Sequence, residues 1–317
     1  MKILKYLERW NSTGIITGAQ YAAIAALVRK DRFSVFAELN TLLYLGVLSL
    51  VAGAGWTIQT YVASLGDAAI VSALTITVVA CLYYCFSRAL PYSDEQVEPA
   101  GFAFDYVLYL GCLVFALELG YVESRFHFLQ ANWDYYLLAS SLVFFALAYR
   151  FDNRFVLSLA LSTLAGWFGV RVSEFPLLQL FGGSSLRAYA LAYGGLVAVA
   201  GTGLHRAGVK PHFLEAYLHI AANVLFIALL SGVVVRDHES LCLAGLLGLA
   251  AIAIVEGVRL TRFAFVVYGV VYGYISISVR LVRDVDSLTA SLAYVAVSGT
   301  IVFISLVVLA RRFGREE

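Results

Sequence analysis

KPHFLEAYLHIAANVLFIALLSGVVVR, residues 210–236, decides what kind of fold this chain adopts. Apolar residues run almost unbroken from Phe213 to Val235, and charges flank both ends (Lys210, Arg236). A helix over residues 213–234 rises about 1.5 Å per residue and so spans roughly 33 Å, enough to cross a hydrocarbon core about 30 Å thick. A soluble amphipathic helix confines its apolar residues to one stripe, whereas this segment is apolar on most of its circumference. The reading is a membrane span.

The same pattern recurs along the chain. Of 317 residues, 61% are hydrophobic and 14% charged, and the mean hydropathy is +0.84. Soluble domains carry about 45–50% apolar and about 25% charged residues. A water-soluble enzyme and an all-β barrel are therefore excluded. A net charge of +1 leaves no basic footprint for nucleic acid. Cys81, Cys85, Cys112 and Cys242 lie in or beside apolar runs and read as small core residues, not a disulfide framework or metal knuckle. No signal peptide is read.

Spans are expected near 36–58, 67–87, 102–120, 134–149, 155–171, 188–204, 213–234, 240–258, 264–281 and 287–309. The expected fold is all-α: a polytopic integral membrane bundle of about ten transmembrane helices at 36–309. A cytoplasmic helical hairpin arm precedes it at 1–35, and a cytoplasmic tail follows at 310–317. In the arm, Ile3, Leu4, Leu7 and Trp10 form an apolar stripe, Asn11 to Gly14 break the helix, and Thr17 can cap a second one carrying Gln20, Ile24 and Leu27.

Orientation follows from basic residues. With the N-terminus in the cytoplasm, sixteen of the 22 Lys and Arg, from Lys2 to Arg315, fall on the inner side. Arg125, Arg171, Arg187, Arg236, Arg280 and Arg283 fall outside. Both termini are thus expected inside, with Trp56 and Trp133 in an outer aromatic belt. The loop at 88–101 is expected to be solvated on the inner side, and 172–187 to form an outer interfacial segment.

The arm reads L-x2-W-x3-G-x-I-x3-Q, as Leu7, Trp10, Gly14, Ile16 and Gln20. A span bearing Gly46, Gly53, Gly55 and Trp56 follows it. Together with YRFDNRFVLSLALSTLAGWFG from Tyr149 to Gly169, this resembles the bacterial membrane proteins grouped as domain of unknown function 2157. The resemblance implies a bacterial inner-membrane setting, and it carries over no activity and no catalytic residue.

Ionisable residues inside spans are costly and are candidate sites by default. His212, Glu215, His219 and Asn223 share one face of the seventh span, within about 80° at 100° per residue. A carboxylate between two imidazoles suits proton relay or cation binding. The plainer alternative is hydrogen bonding to a neighbouring helix, with Glu215 paired to Lys210. On the ninth span Tyr268, Tyr272, Ser276 and Arg280 recur every four residues beside the G-x3-G of Gly269 and Gly273. They line either a tight helix seam or a polar groove ending at a cation. Asp105, Glu118 and Glu256 read as structural pairs. H-x2-E-x3-H is not a zincin motif, so no metal or other cofactor is implied.

Three function classes remain. A transporter or channel-like protein for a small polar or lipid-linked solute is the favoured reading, because four polar groups on one span need an explanation that scaffolding does not demand. A non-catalytic scaffold or assembly subunit, taking a protein partner through the arm, draws on proline-free spans and missing motifs. An intramembrane enzyme has only the His–Glu–His stripe. Membrane lipid is the one partner implied throughout; nucleic acid is not, and no solute is specified.

Overall fold

The computed structural model describes residues 2–18, 20–21, 36–97, 101, 103–171, 186–236, 238–283, 285 and 287–316. Among them there are eleven α-helices and no strand. α1 is Lys2–Ser12, α2 Phe36–Leu65, α3 Asp67–Arg88, α4 Phe104–Phe126, α5 Tyr135–Phe151 and α6 Arg154–Arg171. α7 is Leu186–Arg206, α8 Leu214–Val235, α9 Glu239–Arg259, α10 Phe263–Arg283 and α11 Leu288–Glu316. One-turn 3₁₀ helices precede α5 (Gln130–Asn132) and α8 (Pro211–Phe213).

A helix occupies each of the ten apolar segments read from the sequence. Seven of the described helices are long and apolar enough to cross a membrane, within α2, α3, α4, α8, α9, α10 and α11. α5 and α6 are apolar but shorter. α7 carries four glycines, two tyrosines before them and Arg187, which dilute its hydropathy. Residues 172–185 of the segment expected at 172–187, and the part of the expected arm beyond Tyr21, lie outside the described residues.

The breaks obey local chemistry. α1 ends in a Schellman motif: Gly14 takes φ 74°, Ile15 N–H donates to Trp10 O (2.9 Å) and Gly14 N–H to Asn11 O (3.2 Å). Thr17 and Gln20 then form a reciprocal capping box. Gln20 N–H donates to Thr17 Oγ1 (3.3 Å) and Thr17 N–H to Gln20 Oε1 (2.9 Å). Asp152 ends α5 in the left-handed region (φ 56°), and Asn153 caps α6 by accepting Val156 N–H at 2.9 Å.

Helices pack mainly as sequential hairpins: α3 with α4, α5 with α6, α7 with α8, α9 with α10. The largest core joins α4 to α8 around Leu108, Phe144, Leu157, Val197 and Phe213. A smaller one holds α2 and α3 to α4 through Val51, Leu74 and Val114, and a third holds α9 and α10 to α8 through Phe226 and Leu246. The four cysteines are free and buried, as small core residues should be. Around these cores large apolar side chains stand exposed, including Ile76, Val79, Leu196, Ile252 and Phe303. Such a surface suits hydrocarbon, not water. α11 is the extreme case: none of its most apolar stretch is buried.

Without a hydrophobic drive between helices in lipid, close packing needs small residues. A Cβ on Gly201 of α7 would lie 2.5 Å from Tyr217 Cβ of α8; one on Gly203, a turn's half away, would meet nothing within 4 Å. Gly201→Ala is therefore expected to cost about 1–3 kcal/mol through overpacking, while Gly203→Ala stays neutral or better. Thermal unfolding of both variants in detergent checks this; equal behaviour would contradict the seam.

Candidate functional site

The two polar stripes read separately from the sequence meet face to face. α8 and α10 run side by side, and their four-residue spacings are in register. Tyr268 OH lies 3.1 Å from His219 Nδ1, and Tyr272 OH donates to Asn223 Oδ1 at 3.1 Å. Aromatic stacking fills the spaces between. The His219 ring stacks on Phe265 (centroids 4.7 Å, planes 8° apart), and Phe226 stacks on Tyr272 (4.7 Å, 3°). The Asn223 amide nitrogen donates to His219 O, one turn back on its own helix, at 2.8 Å.

Beyond this point the α10 row leaves the stripe. Ser276 is buried and donates to Gly273 O of its own helix (2.9 Å). Arg280 donates to Glu239 Oε1 of α9 at 2.7 Å, and Arg283 Nη1 is 3.4 Å from the same oxygen. An acidic side chain thus already answers the cation at the end of the expected groove. Gly269 supports the seam reading: its Cβ would stand 2.7 Å from Ala250 O of α9.

At the other end of α8 the stripe opens into a cluster of charges. Glu215 lies 3.4 Å from Arg154 Nη1 and 3.8 Å from His219 Nε2. The pairing with Lys210 expected as the plainer alternative is not made. Lys210 turns instead to Asp152, Nζ to Oδ1 3.4 Å, with side chains 1% and 2% exposed. His212 Nε2 hydrogen-bonds the same Oδ1, and Val97 N–H donates to Oδ2 at 2.6 Å. Lys210 also sits 5.0 Å from the centroid of the Tyr92 ring, a cation–π contact. Asp94 accepts from the Tyr92 hydroxyl (3.0 Å) and holds that phenol above its ordinary range.

The loop after α3 is consequently strapped down. Besides Val97 and Tyr92, Arg150 donates to Leu90 O (3.0 Å) and Arg154 reaches Gln96 Oε1 (3.4 Å). Asn153 ties the same turn to α4, donating to Asp105 Oδ1 at 2.8 Å. Asp105, read from the sequence as a structural pair, is answered by the amide of Asn153, beside Arg154. Asp152, Asn153 and Lys210 escape a search for ionisable groups within spans because they sit in turns. The signal that marks them is the density of charge and amide in Arg150-Phe-Asp-Asn-Arg154.

Elsewhere, Glu256 pairs with Arg259 one turn on (3.2 Å), as expected. Arg125 pairs across helices with Asp67 of α3 (2.8 Å), and Thr75 hydrogen-bonds Glu118. Among the described residues, no three His, Cys, Asp or Glu side chains gather as a metal site.

All-helical architecture, bare apolar flanks and polar groups answered helix to helix define an integral membrane protein with several spans. Residues 8–157 match the model of the family described as Predicted membrane protein (DUF2157), the one the N-terminal motifs resemble. The match runs from α1 through the Asp152–Asn153 turn into α6. Neither a curated protein nor a solved structure matches the chain.

Removing one member of a buried ion pair strands the other and costs about 3–5 kcal/mol, whereas replacing both by apolar groups is often neutral. Asp152→Asn, which tolerates the left-handed turn, and Lys210→Met should each lower the unfolding temperature in detergent sharply. The double variant Asp152→Asn/Lys210→Met should recover part of that loss. Purely additive losses would contradict the coupling.

Proposed function

We propose that the protein is a non-catalytic scaffold or assembly subunit of a bacterial inner membrane, a binder of other components and not a carrier of solute. The observation that carries this reading is the fate of the α8 stripe. A solute pathway needs polar groups left free for the passing molecule, and proton relays need contact with water. His219 and Asn223 are instead engaged by Tyr268 and Tyr272 and walled by Phe265 and Phe226. The bare flank of α11 supports the same reading, since it offers a long surface to lipid or a partner.

The transmembrane arrangement we infer has ten spans and both termini in the cytoplasm. α5, α6 and α7 are shorter or less apolar than the other spans, and each packs one face into the central core while leaving apolar side chains such as Leu142, Phe155 and Val199 exposed on the other. The clustering of turns supports this topology. The loop at 89–97 and the turns at 150–154 and 205–213 meet at one end of the bundle through Asp152 and Lys210. Positive-inside counting puts all three on the inner side. Residues 233–239 and 280–283 meet at another junction through Glu239, and counting puts both outside.

Cysteine accessibility in intact membranes tests both parts. The four native cysteines are buried, so wild type sets a low baseline for a membrane-impermeant thiol reagent. His219→Cys and Asn223→Cys are expected to stay at that baseline. Glu95→Cys should label from the cytoplasmic side alone and Phe128→Cys from the outer side alone. Rapid labelling at 219 or 223 would replace the scaffold reading with a hydrated pathway; labelling of 95 and 128 from one side would overturn the span count.

A further inference from the structure

A second feature of the α8–α9 region belongs to neither stripe. α7, α8 and α9 diverge around a crevice of about 240 Å³. Its walls are built from residues too small to close the gap, among them Ala198, Ala221, Ala222 and Ala253, with Leu225 and Leu249 between them. Ile252 on its rim is 62% exposed, so the crevice opens on the same apolar surface that faces lipid. Polar groups occur at one end only, where α9 turns into α10: Glu256 and Arg262.

The charges there do not balance. Glu256 is taken by Arg259 at 3.2 Å. Arg262 is half-buried against the crevice, and its guanidinium makes no hydrogen bond or ion pair with any other described residue. Gly257 keeps the turn tight: a Cβ there would stand 3.2 Å from Arg262 O and 2.7 Å from Val266 Cγ2, so the turn folds back onto the crevice mouth. A guanidinium has five N–H donors in a planar fork that fits phosphate, and leaving them unanswered at a hydrocarbon boundary is costly.

We propose that this crevice is a binding site for one anionic phospholipid: an acyl chain lies along the alanine-lined slot, and the headgroup phosphate sits on Arg262. Basic pockets between spans on the cytoplasmic side are where acidic headgroups dock. Charge complementarity selects the headgroup, because two arginines face one glutamate at the mouth. Slot and cation lie on one line from the bilayer interior to its surface, as a phospholipid does. The proposal stands whether the protein is a scaffold or a carrier.

The test uses the full chain, purified and delipidated in neutral detergent, with phosphatidylglycerol, phosphatidylcholine or inorganic phosphate added. Native mass spectrometry counts adducts and thermal unfolding reports protection. Wild type is expected to retain one phosphatidylglycerol at least about tenfold better than phosphatidylcholine, which corresponds to about 1.4 kcal/mol. Arg262→Ala should abolish that preference. Arg88→Ala, an inner-side cation on α3, should keep it. Ala198→Leu, which fills the slot and leaves Arg262 in place, should lose retention of both lipids with unchanged unfolding temperature in detergent alone. Undiminished preference in Arg262→Ala, equal loss in Arg88→Ala, or protection by inorganic phosphate matching that of phosphatidylglycerol would each overturn the site. If Arg262→Ala does not fold, Ala198→Leu decides alone, and retained lipid there overturns the slot.

Discussion

Hydrocarbon offers a polar group nothing to bond to, and the arrangement of α8 follows from that. His219 and Asn223 cannot face lipid unanswered without a cost of several kcal/mol. The α10 tyrosines answer them, and the pairing fixes the rotation of both helices and their register. Interhelical hydrogen bonds of this kind contribute only about 0.6 kcal/mol each on average. Their effect lies in specificity: any other rotation leaves four polar groups bare. The same constraint explains why Asp152 collects three donors, from Lys210, His212 and Val97.

The existence of each helix was legible from hydropathy, although three of them run past the expected ends at 58, 120 and 309 to Leu65, Phe126 and Glu316; the cap at Thr17, the Glu256–Arg259 pair and the burial of the cysteines were legible from local pattern. The content of the stripes was legible too, because helical periodicity places Tyr268 and Tyr272 at the spacing of His219 and Asn223. Which stripe faces which was not. Two helices of matching period can meet in several pairings, and only packing around Gly201, Gly269 and Phe226 chooses one. Lys210 illustrates the harder case. Its sequence neighbourhood offers Glu215 as the partner, yet the loop at 89–97 folds over it, Asp152 takes the charge, and its side chain is 1% exposed. That closure depends on residues about 115 positions upstream in sequence, beyond any local pattern. Whether a helix crosses the bilayer is likewise partly a property of its neighbours: α5 and α6 are apolar but short, α7 is long but less apolar, and all three pack against the central core.

These observations separate two kinds of polar group in the bundle. The His219, Asn223 and Asp152 sets are paired within the protein, by Tyr268, by Tyr272 and by Lys210 with His212, and disturbing them disturbs the fold. Arg262 is open, with its charge directed to a lipid-facing slot. A membrane protein that binds through its surface would be built in this way, with its polar groups paired inside and a cation left for a ligand at the edge.

The Asp152 junction also bears on how the chain divides. The family match ends at residue 157, five residues past the carboxylate, while Lys210 and His212 lie well beyond it. A hybrid spliced between α6 and α7 would take its acid from one parent and its base from the other. Interchange of the two halves is therefore costly wherever it brings one partner without the other, because the charge left behind is buried and unpaired.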